Sequence, residues 1–300
     1  MTLSSDVVSI LLRSGLIRVA QSPTTPFDNG KLIWHDKSAY LKPGMYARIL
    51  SLLKEVIMGQ DMKVDYFVGS YTGGIPWASL LAQEFNIPVC IEDNGSFYNF
   101  TTYYALNLNQ LMECDYVVAN IFGLPMAAYA IRDIQKPLLY IKPGPSEDKF
   151  ELEGYWEKGK RACFYEAYTE KMKICTAQYS DLLNESGLSV IYGSGQPKVE
   201  SVNLNNKNVL IIDDIYNSGS GSLKNLDSIR KAGGKVTNVI SLFNQQTQEG
   251  KLCAKKNAVH IHSIVNTAQI IEITALLGLI HHDEQSAYIE AICGVTVPVL

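Results

Sequence analysis

Residues 209–222 read VLIIDDIYNSGSGS: four aliphatic residues, two adjacent aspartates and a run of small polar residues. Such an aliphatic run is typical of a parallel strand that is buried on both faces. In parallel sheets ligands bind beyond the carboxyl ends of the strands, so Asp213 and Asp214 are expected at that edge. We also expect both carboxylates to be accessible to solvent, because burying two unpaired charges is costly.

The segment after the aspartates is suited to hold a phosphate group. Small residues let the backbone approach an anion, and a helix predicted from Ser222 adds N–H groups and a favourable dipole. The aspartates would repel that phosphate, so they suit neighbouring hydroxyl groups or a partial positive charge, as on a sugar ring. The alternative is a capped helix without a ligand. The predicted phosphate-binding residues are Asn217, Ser218, Gly219, Ser220 and Gly221.

Composition limits the functional classes. The chain has 300 residues, of which 47% are hydrophobic, so it can bury a sizeable core in one large or two smaller domains. A net charge of -4 gives no general attraction to nucleic acid or to an anionic membrane. Six cysteines without CxxC spacing indicate buried thiols in a reducing compartment. With no basic leader and no membrane-length apolar run, we expect a cytoplasmic protein without a nucleic-acid or membrane partner.

The order of apolar segments predicts an α/β protein with a parallel sheet. Helical periodicity covers residues 5–19 and 44–58, and DYFVGS from Asp65 is a short strand. A helix over 77–85 and the strand PVCIE follow. After the opening motif we predict a helix over 222–232, the strands VTNVISLF and VHIHSIV, and a helical region over 267–279.

One of these units has a similar counterpart later in the chain. DYFVGSYTGGIPWASLLAQEFNIPVCIE from Asp65 aligns with DYVVANIFGLPMAAYAIRDIQKPLLYIK from Asp115 with one gap. A partial duplication explains this, and so does the general likeness of any two βαβ units. If it is a duplication, the second copy lacks the glycine pair and hydroxyls of SYTGG. Residues 150–207 contain a charged, aromatic, helix-like stretch over 155–183. For the polar, Gly- and Asn-rich segment that follows from Ser186, we expect a mobile excursion that leads back into the sheet.

The stretch VLIIDDIYNSGSG resembles the phosphoribosyl-pyrophosphate (PRPP) signature of type I phosphoribosyltransferases, and the chain is most similar to orotate phosphoribosyltransferase. LLRSGLIRVAQSPTTPFDNGK resembles the hood of that family, and VGSYTGGIPWAS resembles its pyrophosphate loop. YGSGQPKVES resembles the end of its mobile catalytic loop, and VHIHSIVNTAQIIEITALLGLI its C-terminal strand and helix. The resemblance implies a Rossmann-like core over 65–300, a hood segment over 1–64, an insertion or partial βαβ repeat at about 94–190, and a homodimer.

The resemblance also implies roles for individual residues. Asp213 and Asp214 would bind the ribose hydroxyls and face the positive charge that develops as pyrophosphate leaves. Mg²⁺ would be bound through PRPP, with no direct protein ligand. The pyrophosphate would be bound by Ser70, Tyr71, Thr72, Gly73 and Gly74.

The chain departs from this family where cations are needed. Tyr192 stands in place of the mobile-loop histidine, and Lys198 and Lys142 are the nearby candidates for a catalytic cation. Asn244 and Gln245 replace the family's Asp-Arg pair, whose arginine helps to hold orotate. Asp28 and Asn29, in FDNGK, stand where the family has its hood lysine. We therefore predict a neutral heterocyclic base in place of orotate.

Two residues are candidates for binding that base. Gln245 offers a neutral amide, and Trp34 either stacks on the base or packs in the core.

His281 and His282, followed by two acidic residues, suggest a metal site or a solvated helix end.

Other functions remain open beside phosphoribosyl transfer. A non-catalytic protein that senses PRPP or a nucleotide is favoured by the scarcity of cations. A different α/β nucleotide-binding protein is less well supported, because no GK[ST] follows the glycines. The intact acidic pair and both anion-binding segments favour an enzyme.

Overall fold

The computed structural model describes residues 3–13, 17–24, 33–35, 46–93, 95–101, 111–120, 123–134, 136–144, 149–154, 156–165, 176–192 and 198–293. The α-helices in these stretches are α1 (Leu3–Arg13), α2 (Tyr46–Met58), α3 (Tyr71–Phe85), α4 (Leu124–Ile134), α5 (Thr176–Glu185), α6 (Ser220–Lys231), α7 (Gln248–Lys256), α8 (Thr267–Leu276) and α9 (Gln285–Cys293). The strands are β1 (Ile17–Val19), β2 (Ile33–His35), β3 (Tyr66–Gly69), β4 (Val89–Asp93), β5 (Ser96–Thr101), β6 (Tyr116–Asn120), β7 (Leu138–Pro143), β8 (Phe150–Glu153), β9 (Arg161–Tyr165), β10 (Ser189–Tyr192), β11 (Lys198–Ser201), β12 (Val209–Tyr216), β13 (Asn238–Asn244) and β14 (His260–Asn266). This mixture of helices and largely parallel strands confirms the predicted α/β class.

The main sheet has seven strands in the order β11-β5-β4-β3-β12-β13-β14. The five neighbouring strands β4, β3, β12, β13 and β14 pair in parallel. At one edge of the sheet, β5 pairs antiparallel with β4, and β11 pairs antiparallel with β5. β12, which carries the opening motif, lies between β3 and β13 and is almost entirely buried. The motif therefore ends at the carboxyl edge of a parallel sheet, as predicted.

Helices cover both faces of β12. Successive side chains of a strand point to opposite faces. On one face Ile212 shares a core with Trp77 of α3. On the other face Ile211 shares a second core with Leu226 of α6. The two aspartates that follow are therefore directed toward different helices.

Five further strands form a second sheet in the order β10-β9-β6-β7-β8. Four of them run in parallel and β8 adds antiparallel at one edge. The helix-like stretch expected over 155–183 is wrong at residues 161–165, because β9 is an inner strand with four buried residues, whereas residues 176–185 form α5. In the polar segment from Ser186, residues 189–192 and 198–201 are the strands β10 and β11. RACFY is flanked by charged residues and is too short to show the alternation of apolar and polar residues by which a strand is recognised.

The N-terminal residues form helices and a small hairpin before β3. β1 pairs with β2 antiparallel, with Ile17 opposite His35. The helix predicted over 5–19 therefore ends earlier, at Arg13, and 17–19 is a strand. The phenol of Tyr288 in α9 donates a hydrogen bond to the carbonyl of Ala20, which ties this segment to the C-terminal helix. Within the described residues, no helix combines the length and the apolar character needed to cross a membrane.

Candidate active site

The acidic pair of β12 is buried. Asp213 is 7% exposed and Asp214 is 5% exposed, so the expectation of solvent-accessible carboxylates is wrong. Both carboxylates accept hydrogen bonds that offset the cost of burial. Ser222 donates its hydroxyl to Oδ2 of Asp213 at 2.5 Å, and the N–H of Ile215 donates to Oδ1 of Asp214 at 2.9 Å.

Asp214 lies against the first turn of α3. A Cβ atom added at Gly73 would lie 2.3 Å from Cγ of Asp214. A Cβ atom added at Gly74 would lie 2.1 Å from the carbonyl oxygen of Ile212. The glycine pair therefore allows the start of α3 to approach the end of β12. The structure brings Asp214 and the predicted pyrophosphate-binding segment together.

The predicted pyrophosphate-binding segment is the first turn of α3, with Ser70 as its N-cap. In a helix the N–H groups of the first turn, here residues 71–73, have no intrahelical acceptor and can receive an anion. The N–H of Gly74 instead donates to the carbonyl of Ser70 at 2.9 Å, and the N–H of Ser70 donates to Ile212 at 2.7 Å. The side chains of Tyr71 and Thr72 lie outside the described part of the structure.

The hydroxyl group of Ser70 supports an anion site at this helix terminus. Ser70 is 3% exposed, and its Oγ has no hydrogen-bond partner within the described part of the chain. Buried polar atoms are rarely left unpaired in proteins. A ligand oxygen at the start of α3 would satisfy this hydroxyl group.

The predicted phosphate-binding residues form an open turn at the start of α6. Gly219 is the N-cap, with φ +84°, a left-handed conformation that favours glycine. The hydroxyl oxygen of Ser218 accepts from the N–H of Ser220 at 3.3 Å. A Cβ atom added at Gly221 would meet no atom within 4 Å. The turn is therefore preformed and leaves space for an anion beside its N–H groups.

Hydrogen bonds to the start of helix α7 hold this turn in place. Thr247 donates its hydroxyl to the carbonyl of Asn217 at 2.9 Å, and Tyr216 donates its phenol to the carbonyl of Gly250 at 3.0 Å. Burial and the neighbouring Cys253 raise the pKa of Tyr216, so the phenol remains a donor. Our sequence interpretation missed α7, although a threonine N-cap before QEGK is a usual helix-start signal.

The candidate catalytic lysines lie in other parts of the fold. Lys142 belongs to the second sheet, where its ammonium lies 3.2 Å from the carboxylates of both Glu151 and Glu153. Burial alone would lower the pKa of Lys142, but the two carboxylates outweigh it and hold that pKa above its ordinary value. Lys198 begins β11, at the edge of the main sheet, and its side chain is not among those described. Their catalytic role stays a prediction.

The candidate base-binding residues lie apart in sequence. Gln245 is 8% exposed, and its backbone N–H donates to the carbonyl of Tyr216 at 2.9 Å. Its carbonyl accepts from the hydroxyl of Thr267 at 2.7 Å, so Gln245 joins the ends of β12 and β13 to α8. Trp34 pairs with Arg18 through β2, but the Trp34 side chain lies outside the described part.

The acidic pair would suit Mg²⁺ bound together with PRPP. Carboxylate oxygens are hard donors of the kind that Mg²⁺ prefers. In the described stretches, no group of three or more His, Cys, Asp or Glu side chains could hold a metal ion, and His281 and His282 are exposed. A magnesium site here would therefore take most of its ligands from PRPP and water.

Comparison with known proteins agrees with this geometry. No protein-family model matches the chain. The solved structure of orotate phosphoribosyltransferase from Francisella tularensis is similar with a TM-score of 0.50 and 10% identity, over 94% of this chain and 91% of that one. The fold is that of a type I phosphoribosyltransferase.

Curated relatives match part of the sequence. Orotate phosphoribosyltransferase of Oceanobacillus iheyensis is 25% identical over 117 residues, 37% of this chain and 56% of that protein. Orotate phosphoribosyltransferase of Cutibacterium acnes is 26% identical over 78 residues, 26% of this chain and 36% of that protein. The chain is thus similar to orotate phosphoribosyltransferases, and its matches span only about a third to a little over half of their length.

The bond between Ser222 and Asp213 leads to a prediction about stability. Ser222→Ala would leave a buried carboxylate without its hydroxyl donor, so we expect the free energy of unfolding to fall by about 1–3 kcal/mol. Urea unfolding without ligand measures this change. Ser228→Ala on the same helix is the control, because its only hydroxyl contact described is a 3.3 Å bond to Glu92. Equal losses in the two variants would contradict the prediction.

Proposed function

We propose that the protein transfers ribose 5-phosphate from PRPP to a nitrogenous base and releases pyrophosphate. The observation that carries the proposal is the position of two buried aspartates between two helix starts that have the geometry to bind anions. The start of α3 lies against Asp214, and Ser222 in the first turn of α6 bonds Asp213. PRPP carries a 5-phosphate and a pyrophosphate on opposite sides of its ribose, so it calls for two such sites with hydroxyl-binding groups between them.

In the proposed reaction each segment contacts a different part of PRPP. The turn of residues 217–221 binds the 5-phosphate, and the N–H groups of residues 71–73 bind the pyrophosphate. The base nitrogen forms a bond to C1 of the ribose while the C1–oxygen bond breaks, and pyrophosphate leaves with the bonding electrons. The proton of that base nitrogen is released to the departing pyrophosphate or to water. Asp213 and Asp214 stabilise the positive charge that develops on the ribose ring. Bound Mg²⁺ would supply charge neutralisation for the leaving pyrophosphate.

The test of this function is pyrophosphate release. The protein is incubated with PRPP, Mg²⁺ and a panel of pyrimidine and purine bases, and pyrophosphate and nucleotide are quantified. We expect base-dependent release of both products in equal amounts. Binding of PRPP without turnover of any base would contradict the proposal.

A non-catalytic PRPP- or nucleotide-binding protein is the second candidate. It is favoured by the position of Lys142, whose ion pairs both lie within the second sheet. Cations near the leaving group stabilise departing pyrophosphate, and a protein that only binds PRPP does not need them. PRPP-dependent stabilisation without turnover would support this candidate.

The identity of the base leads to a prediction about specificity. Orotate is uracil with an added carboxylate, and a buried carboxylate needs charge-assisted hydrogen bonds. Gln245 supplies only a neutral amide where the family has arginine. We expect kcat/KM for uracil or another neutral base to exceed that for orotate by about 10- to 100-fold, the loss of one such bond. Competition under identical PRPP and Mg²⁺ measures the ratio, and a preference for orotate would contradict it.

A further inference from the structure

The second sheet repeats the architecture of the main sheet. The order β8-β7-β6-β9-β10 corresponds to β5-β4-β3-β12-β13 in the main sheet. In both sets an antiparallel edge strand is followed by four parallel strands. The correspondence extends beyond the two βαβ segments that align in sequence, because it includes β9, α5 and β10.

Individual hydrogen bonds coincide as well. Oδ2 of Asp65, just before β3, accepts from the N–H of Asn208 at 2.8 Å. Oδ2 of Asp115, just before β6, accepts from the N–H of Arg161 at 2.9 Å. In each case an aspartate binds the backbone next to the neighbouring strand. A general likeness between βαβ units does not require this bond.

The glycines after β3 and β6 make the same close approach. A Cβ atom added at Gly74 would lie 2.1 Å from the carbonyl oxygen of Ile212. A Cβ atom added at Gly123 would lie 2.1 Å from the carbonyl oxygen of Tyr165. The helix starts therefore meet the neighbouring strands in the same way in both sheets.

The helices that follow β12 and β9 also end alike. Gly233 has φ +82° and donates its N–H to Arg230 at 3.0 Å. Gly187 has φ +76° and donates its N–H to Asn184 at 2.9 Å. Gly233 precedes β13 and Gly187 precedes β10, each of which is the next parallel strand of its sheet. The strand-helix-strand segments β12-α6-β13 and β9-α5-β10 therefore correspond as well.

Equivalent residues of α3 and α4 contact each other. Gln83 and Arg132 each lie nine residues after the corresponding glycine, Gly74 or Gly123. The guanidinium of Arg132 donates a hydrogen bond to Oε1 of Gln83. In a twofold interface, residues near the axis contact their own equivalents. The contact between Gln83 and Arg132 is the kind expected where two units pack about a pseudo-twofold axis through α3 and α4.

The middle of helix α3 is enclosed by the rest of the chain. Residues 74–82 are all buried, which covers more than two turns. A helix that is buried all round is enclosed by its neighbours. Here these neighbours include β3, β12, α2 and α4.

We propose that the chain is a single-chain pseudodimer of two phosphoribosyltransferase-type units, of which only one binds PRPP. The first unit comprises β3–β5 with β12 and β13, and the second comprises β6–β10. The second unit packs against α3 of the first unit through α4. In this proposal the second unit stands where a homodimer would have a partner subunit, which differs from the expected homodimer.

The second unit has lost the features that bind phosphate groups. Its NIFG, residues 120–123, lacks the glycine pair of SYTGG. Its residues 166–175, which follow β9, contain no glycine where the first unit has Gly219 and Gly221. We therefore infer one PRPP site per chain, an inference that rests on the proposed function.

Cross-linking tests the pseudodimer without any ligand. Gln83→Cys combined with Arg132→Cys should form a link within one chain upon mild oxidation or with a short bis-maleimide. Either single variant, and the unchanged protein, should form no covalent dimer. Covalent dimers from Gln83→Cys alone, or no intrachain link in the double variant, would overturn the proposal.

Calorimetric titration with PRPP and Mg²⁺ tests the number of sites. We expect one PRPP per 33.3 kDa chain. Two PRPP per chain would overturn the loss of the second site. No binding at all would instead refute the proposed function, and the cross-linking result would still decide whether the chain is a pseudodimer.

Discussion

Replacing Asp214 with asparagine is expected to lower kcat by about 100- to 1000-fold, the usual effect of removing one preorganised electrostatic group. Asparagine has the same shape, so it still fits against Gly73 and still accepts from the N–H of Ile215. The lost negative charge is the one that would face the ribose ring as pyrophosphate leaves. Steady-state pyrophosphate release measures the effect.

Asp227→Asn is the matched control for this variant. Asp227 is exposed on α6, so the same change of charge there should leave kcat unaltered. PRPP-dependent stabilisation should be retained in both variants, because the phosphate-binding segments are unchanged. Turnover by Asp214→Asn within threefold of the original protein would contradict a catalytic role for this carboxylate.

Gly221→Val is expected to abolish stabilisation by PRPP and Mg²⁺. At a PRPP concentration of 100 times Kd, the original protein should gain about 2.7 kcal/mol and show a higher Tm. A Cβ atom at Gly221 meets nothing within 4 Å, so the fold tolerates the side chain. The added isopropyl group would occupy the space proposed for the 5-phosphate.

The choice of glycine decides whether this experiment is informative. Gly219 has φ +84°, and a Cβ atom there would lie 2.6 Å from Sγ of Cys253, so substitution would strain the turn itself. Lys231→Val places the same β-branched side chain at the exposed end of α6 and should leave the PRPP-dependent shift intact. An undiminished shift in Gly221→Val would refute the 5-phosphate assignment.

The opening motif allowed the strand, its edge and the following helix to be predicted from sequence. Its run of aliphatic residues is long enough to indicate a buried parallel strand, and its small polar residues indicate a turn before a helix. Burial of the aspartates could not be predicted, because it depends on the hydroxyl of Ser222 and the glycine at position 73. The close approach of Gly73 to Asp214 joins elements that are distant in the chain, and the hydroxyl bond of Ser222 requires α6 to fold back against β12.

The second sheet shows a different limit of sequence interpretation. RACFY is flanked by charged residues, so β9 lacks both the length and the alternation that reveal a strand. Its place between β6 and β10 becomes evident only from strand pairing. The similarity between the segments from Asp65 and Asp115 indicated a related unit, but it did not extend to this strand.

The nested arrangement of the two sheets has a consequence for the order of folding. The bond between Asp65 and Asn208 joins residues 143 apart, whereas the equivalent bond between Asp115 and Arg161 joins residues 46 apart. Loop-closure entropy makes the longer connection about 1 kcal/mol more costly to form. We therefore expect the inner unit to form first during synthesis, when the strand that carries the two aspartates is still absent. The PRPP site would then be the last part of the chain to assemble.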